Sequence, residues 1–134
     1  MQFLVAPKIF KDFKFLSKKL KLNLFECFND NEHDIDAYKI GQVLKNTILN
    51  SLHIENFSNA LDRQRLISKG WKVFKFRSAV DKEGKSKGLR VFYAINTEES
   101  IVILLYVNKK RYCPTNNQEL EDEVFERLSE YIVN

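Results

Sequence analysis

A chain of 134 residues, 44% apolar, 30% charged and 13% aromatic, with a net charge of +4, is long enough to bury one core and short for two. Eleven Phe with only four Gly and two Pro exclude a disordered or linker-like chain, and no apolar run reaches the roughly 20 residues that cross a membrane. The opening "MQFLVAPKIFKDF" lacks a signal-peptide pattern. Cys27 and Cys113 have no metal-like spacing, so a reducing cytoplasm is the expected location.

"QFLVA" predicts a first strand. Pro7 suits the first turn of a helix, and Ile9, Phe13, Leu16 and Leu20 recur at helical spacing. "KLKLNLFECF" carries two patterns: Leu20, Leu22 and Leu24 alternate like a strand, while Leu24, Phe25 and Phe28 suit a helical face. The helical reading is preferred. "NDNEHD" reads as a loop, after which Asp34 or Asp36 caps a helix striped by Ile40, Val43, Leu44, Thr47, Ile48 and Leu52. Residues 53–70 carry the weakest signal and read as a partial helix ending near Gly70.

From Trp71 the period becomes two. In "WKVFKFR", Phe74 and Phe76 point one way, and Val73, Lys75 and Arg77 the other. "RVFYAIN" is the next strand, "NTEE" a tight turn, and "SIVILLYV" a central strand buried on both faces. Leu120, Val124, Leu128 and Tyr131 stripe a last helix that starts after Pro114 and a Thr/Asn cap. This order predicts an α+β domain over residues 1–134: a small antiparallel sheet with N-terminal helices on one face and a C-terminal helix.

Charge is unevenly placed. Residues 62–90 hold ten Lys/Arg against Asp62, Asp81 and Glu83, and residues 8–21 hold six Lys against Asp12. Residues 118–131 reverse this, with six acids against Arg127. A basic middle and an acidic tail point to a polyanion as partner for one face. The plainer alternative is the solvated, charged face that many antiparallel sheets keep.

Most standard catalytic constellations are missing. "GKSKG" lacks the glycine that a phosphate-cradling loop places five residues before its lysine. His33 and His53 stand apart from any ligand set, and no Ser/His/Asp arrangement is visible. The basic stretch around Cys113 suggests a lowered thiol pKa, but an inert, partly buried thiol is the preferred reading. What remains is the cationic sheet. Lys75 and Arg77 share a strand face, Arg90 begins the next strand across from them, and "NKKRYC" leaves the third carrying Lys109, Lys110, Arg111 and Tyr112. Converging cations and a tyrosine suit a phosphodiester, with Arg gripping oxygens bidentately and Tyr stacking on a base.

The stretch "KVFKFRSAVDKEGKSKGLRVFYAINTEESIVILLYVNKKRY" resembles the RelE/ParE superfamily of bacterial toxins, most closely the HigB-like branch of messenger-RNA interferases. The matching pieces are "KFR" (Lys75, Arg77), "GKSKGLRVFY" (Gly84 to Tyr93) and "ILLYVNKK" (Ile103 to Lys110), followed by a Glu-rich helix. They cover less than half of the chain, and the N-terminal half is longer than in compact members by about one helix.

The resemblance implies a RelE-like domain and a toxin of a type II toxin–antitoxin system. Such a toxin cuts messenger RNA at the ribosome by attack of the ribose 2′-hydroxyl on the neighbouring phosphate, without metal or cofactor, and a small antitoxin protein neutralises it. Carried over, Arg77 and Arg90 stabilise the charge of the phosphorane, Lys75 or Lys85 serves as base, and Tyr112 stacks on a base or takes part in proton transfer. Lys82, Lys87, Lys109, Lys110 and Arg111 hold the RNA. Two alternatives stand beside this: a ParE-like inhibitor of DNA gyrase with no nuclease chemistry, and a catalytically silent nucleic-acid-binding module. The concentration of strand cations favours the nuclease.

Overall fold

The structure, a computed structural model, describes residues 2–31, 33–51, 59–61, 70–78 and 88–133. In chain order they form β1 (Gln2–Val5), α1 (Ile9–Leu20), a 3-10 turn (Leu24–Glu26), α2 (Ile35–Ser51), β2 (Asn59–Leu61), β3 (Trp71–Ser78), β4 (Leu89–Asn96), β5 (Ile101–Lys109), a second 3-10 turn (Lys110–Tyr112) and α3 (Asn117–Val133). The five strands make one sheet in the order β1-β5-β4-β3-β2. The expected α+β class is what the structure shows. The sheet is mixed, because β1 enters parallel to β5 while the other pairings are antiparallel.

Two local readings change. The helical preference for "KLKLNLFECF" fails at Lys21, which takes a left-handed backbone (φ 56°) and bonds its N–H to the Ser17 carbonyl. Such a residue closes a helix, so only Leu24–Glu26 is helical beyond it, and this turn seats Leu24 and Cys27 in the core. The other change is β2, where a partial helix was expected. Its Asn59–Leu61 pair with Lys75, Phe74 and Val73, and three residues are too few to display alternation. Leu52 and the rest of the stretch before Gly70 lie outside the described residues.

The α2 helix starts where a carboxylate stands free of the helix. The Asp34 Oδ1 accepts the Ala37 N–H at 3.1 Å, and Oδ2 accepts the Asn23 N–H at 2.6 Å. Those two backbone donors, Asn23 foremost, hold its carboxyl below the usual range. A depressed folded pKa gives stability that is present above the unfolded value of about 3.9 and lost as pH falls through the folded one. Asp34→Ala is therefore expected to cost about 1 kcal/mol near neutral pH. Urea unfolding should show that difference shrinking in acid.

Further along α2, Gly41 presses on the turn before it. A Cβ there would stand 1.4 Å from the Cys27 carbonyl oxygen and 2.3 Å from its carbon. Backbone cannot rotate aside as a side chain does, so Gly41→Ala is expected to destabilise by about 3 kcal/mol, read as a fall in melting temperature. Cys27 beneath it is fully buried, and burial pushes its thiol up to about 12.

The register divides the sheet into two faces. Trp71, Val73, Lys75 and Arg77 line up with Asn96, Ala94, Phe92 and Arg90, and these with Ile101, Ile103, Tyr106 and Asn108 across a register shift at Phe92/Tyr93. The α3 helix lies on this face: Tyr131 meets Trp71 edge-on at 6.3 Å, and the Arg127 guanidinium sits 4.8 Å over the Tyr106 ring. Phe3, in register with Val102, belongs to the opposite face and meets Phe28 at 5.8 Å and the Lys45 ammonium of α2 at 5.8 Å. The N-terminal helices and α3 thus cover different faces, and one core joins them.

Candidate nucleic-acid interface

Alternation on β3 and β4 turns three cations to one side of the sheet. Arg77 stands directly across from Arg90, and Asn108 continues the same row on β5. The next row on that face is Lys75, Phe92 and Tyr106. Strands about 4.8 Å apart with a repeat of about 3.3 Å per residue place these cations within one side-chain length of each other. Phe92 is buried, Lys75 and Arg90 are half-buried, and Arg77 is exposed. Like charges directly opposite on antiparallel strands are destabilising, and among the described residues no carboxylate pairs with any of the three. The acidic α3 shares their face, but Glu123 is engaged by Arg127 and Glu130 by Lys8.

Asn108 organises the corner beside this row. Its amide donates to the Tyr106 hydroxyl at 3.3 Å and to the Tyr112 carbonyl at 3.4 Å, and its oxygen accepts the Lys109 N–H at 2.9 Å. Burial pushes the Tyr106 hydroxyl up to about 12, so it serves as a neutral hydrogen-bonding group and not as a base. The Tyr112 ring turns towards α1, edge-on to Phe15 at 5.2 Å, with the Lys19 ammonium at 5.3 Å and the Arg111 guanidinium at 5.0 Å. Cys113 donates its thiol to the Lys109 carbonyl at 3.3 Å, and burial raises its pKa. The lowering that its basic neighbours in sequence suggest does not occur: burial raises the thiol pKa, Asp12 adds to the rise, and only the Tyr106 hydroxyl pulls the other way.

Of the residues singled out in the sequence, Lys75, Arg77 and Arg90 are brought together. Tyr112, Lys110 and Arg111 sit on the turn that leaves β5, joined to the row through Asn108; both cations are exposed. Lys109 is placed differently. It pairs with Leu89, which sets it on the opposite face, and it is 4% exposed. Lys82, Lys85 and Lys87 lie outside the described residues.

Two features escaped the sequence reading. Asn108 follows from carrying the period of two along β5 to its end. The second is a buried ion pair between Asp12 and Arg127. The Arg127 Nη1 and Nη2 donate to the two Asp12 oxygens at 2.6 and 2.9 Å. A signal existed: Asp12 is the lone acid of the Lys-rich stretch, and Arg127 the lone base of the acidic one.

A hollow of about 580 Å³ lies at the other end of the sheet, lined by Pro7, Trp71, Glu99, Glu130, Tyr131 and Ile132. Its charged groups are carboxylates, which repel phosphate, so the basic row is the better polyanion site. No protein-family model, curated protein or solved structure matches the chain.

Proposed function

We propose that the chain is an endoribonuclease toxin of a type II toxin–antitoxin pair, cutting messenger RNA at the ribosome in the cytoplasm. The observation that carries this reading is the direct opposition of Arg77 and Arg90 on one sheet face, with Lys75 one repeat away. A sheet that holds two guanidinium groups across from each other carries a repulsion that a bound phosphodiester relieves. The resemblance of "KFR" and "GKSKGLRVFY" to the interferases gives that phosphodiester its identity.

The chemistry follows from the residue types. The 2′-oxygen attacks phosphorus, the bond to the 5′-oxygen breaks, and the products carry a 2′,3′-cyclic phosphate and a 5′-hydroxyl. The planar guanidinium groups of Arg77 and Arg90 fork onto the oxygens that gather charge in the phosphorane. The 2′-hydroxyl loses one proton and the departing 5′-oxygen gains one; Lys75 or, through the resemblance, Lys85 is assigned as the base, and Tyr112 as a participant in proton transfer. Neutral Tyr106 and the Asn108 amide hold the corner in place. Messenger RNA, the ribosome and a small antitoxin protein are the partners that this reading implies; among the described residues no helix is long and apolar enough to cross a membrane.

Primer extension on messenger RNA after brief expression tests this reading. Cuts confined to translated regions are expected, and they should vanish when initiation is blocked. Intact RNA with gyrase-linked DNA damage overturns the reading in favour of the gyrase inhibitor; intact RNA and intact DNA overturn it in favour of a silent binding module.

A further inference from the structure

The solvent side of α1 combines cations and rings in a way that core packing does not require. At 100° per residue, Ile9, Phe13 and Leu16 point inwards, and Lys11, Lys14 and Lys18 form the exposed ridge opposite. On one flank of the ridge Phe10, 56% exposed, lies parallel to Phe25, 52% exposed, with ring centroids 6.3 Å apart. On the other flank Phe15, 41% exposed, meets Tyr112, and the Lys19 ammonium stands 5.6 Å from one ring centre and 5.3 Å from the other. Three phenylalanines this exposed are a costly surface unless something covers them.

Tyr112 ties this surface to the basic row. Its carbonyl accepts from Asn108, the residue in line with Arg77 and Arg90, while its ring touches Phe15 of α1. Asn108 and the Lys110–Tyr112 turn therefore connect the sheet row to the cations and rings of α1. We infer that α1 and this turn form a track for single-stranded RNA leading away from the Arg77–Arg90 row, with phosphates on the lysine ridge and bases against Phe15 and Tyr112. Unstacked bases reach such rings, whereas a duplex keeps its bases inside. An acidic protein would match the charge, but it would not need the ridge to continue into a phosphate-binding row. The inference rests on the reading that the row itself holds RNA.

The test uses fluorescein-labelled 2′-O-methyl oligonucleotides of graded length, which resist 2′-attack, with binding followed by anisotropy across a salt series. Affinity should rise with length beyond what the row alone covers. In a Lys11→Gln/Lys14→Gln/Lys18→Gln variant the slope of log affinity against log salt should fall by about 2, at roughly 0.7 per charge on a single strand. The length dependence should flatten with it. An unchanged slope and length curve overturns the track, and equal affinity for a duplex overturns its single-strand character. The two readings separate cleanly. A lost slope in a protein that cuts no RNA keeps the track and rejects the nuclease; cut RNA with an unchanged slope keeps the nuclease and rejects the track.

Discussion

Arg127→Met is expected to remove about 4 kcal/mol of stability, the cost of leaving one partner of a buried ion pair alone. The pair sits where β5 loses its neighbour. The β1 strand ends at Val5, opposite Leu104, and beyond it two backbone groups of β5 need partners. The Val107 N–H donates to the Asp12 Oδ2 at 3.1 Å, and the Leu105 carbonyl accepts from the Arg127 Nη1 at 2.9 Å. Burial works against the guanidinium charge, but Asp12 and Glu123 outweigh it, so the Arg127 pKa is raised; burial raises the Asp12 carboxyl, with Arg127 pulling the other way.

Removing both charges should not restore the fold. In Asp12→Leu/Arg127→Met the unpaired charge is gone, yet Val107 and Leu105 keep buried, unbonded backbone groups at about 1–3 kcal/mol each. Half or more of the single-variant loss should therefore remain. In Arg127→Met alone, Asp12 is buried without its partner and its pKa rises further. That variant should regain stability as pH falls through the raised value, since protonation removes the lone charge. Chemical unfolding of the two variants across pH checks both statements. A double variant as stable as the wild type would show that the pair does not serve the strand edge.

The second large effect is on activity. Arg90→Ala should slow RNA cleavage about a hundredfold, as expected for one donor aimed at charge that develops in the transition state, roughly 3 kcal/mol of barrier. Its effect on stability should be opposite in sign. Removing one of two facing like charges relieves about 0.2–1 kcal/mol of repulsion, so the inactive protein should melt at the same temperature or higher. Arg77→Ala should behave alike. A surface cation that merely solvates the sheet would leave the rate unchanged, and a structural one would lower the melting temperature with it.

How much of this was legible in the sequence depended on periodicity. The alternation in "WKVFKFR" gave the correct face for Lys75 and Arg77, and the shared period on β4 placed Arg90 across from them. The stripe of α2 was half right: Ile40, Leu44 and Ile48 are buried, but Val43 is 44% exposed, because the buried arc on α2 is narrower than the apolar one. Lys109 shows the opposite limit. Next to two other cations it reads as part of a basic cluster, yet the period of two that exposes Asn108 on the row's face sends its neighbour to the other side. The bond between Asp12 and Arg127 spans 115 positions, and no local pattern encodes such a distance. Nor does a three-residue edge strand such as β2 carry enough alternation to be seen.

The most direct measurement is the single-turnover rate of messenger-RNA cleavage on ribosomes by the purified protein and by its Arg77→Ala/Arg90→Ala variant, with melting temperatures recorded in parallel. The expected result is cutting that leaves 2′,3′-cyclic phosphate ends, slowed at least about a hundredfold in the variant, with no loss of melting temperature. Cleavage at the full rate by a folded double variant would contradict the assignment of the Arg77–Arg90 row as the phosphodiester site.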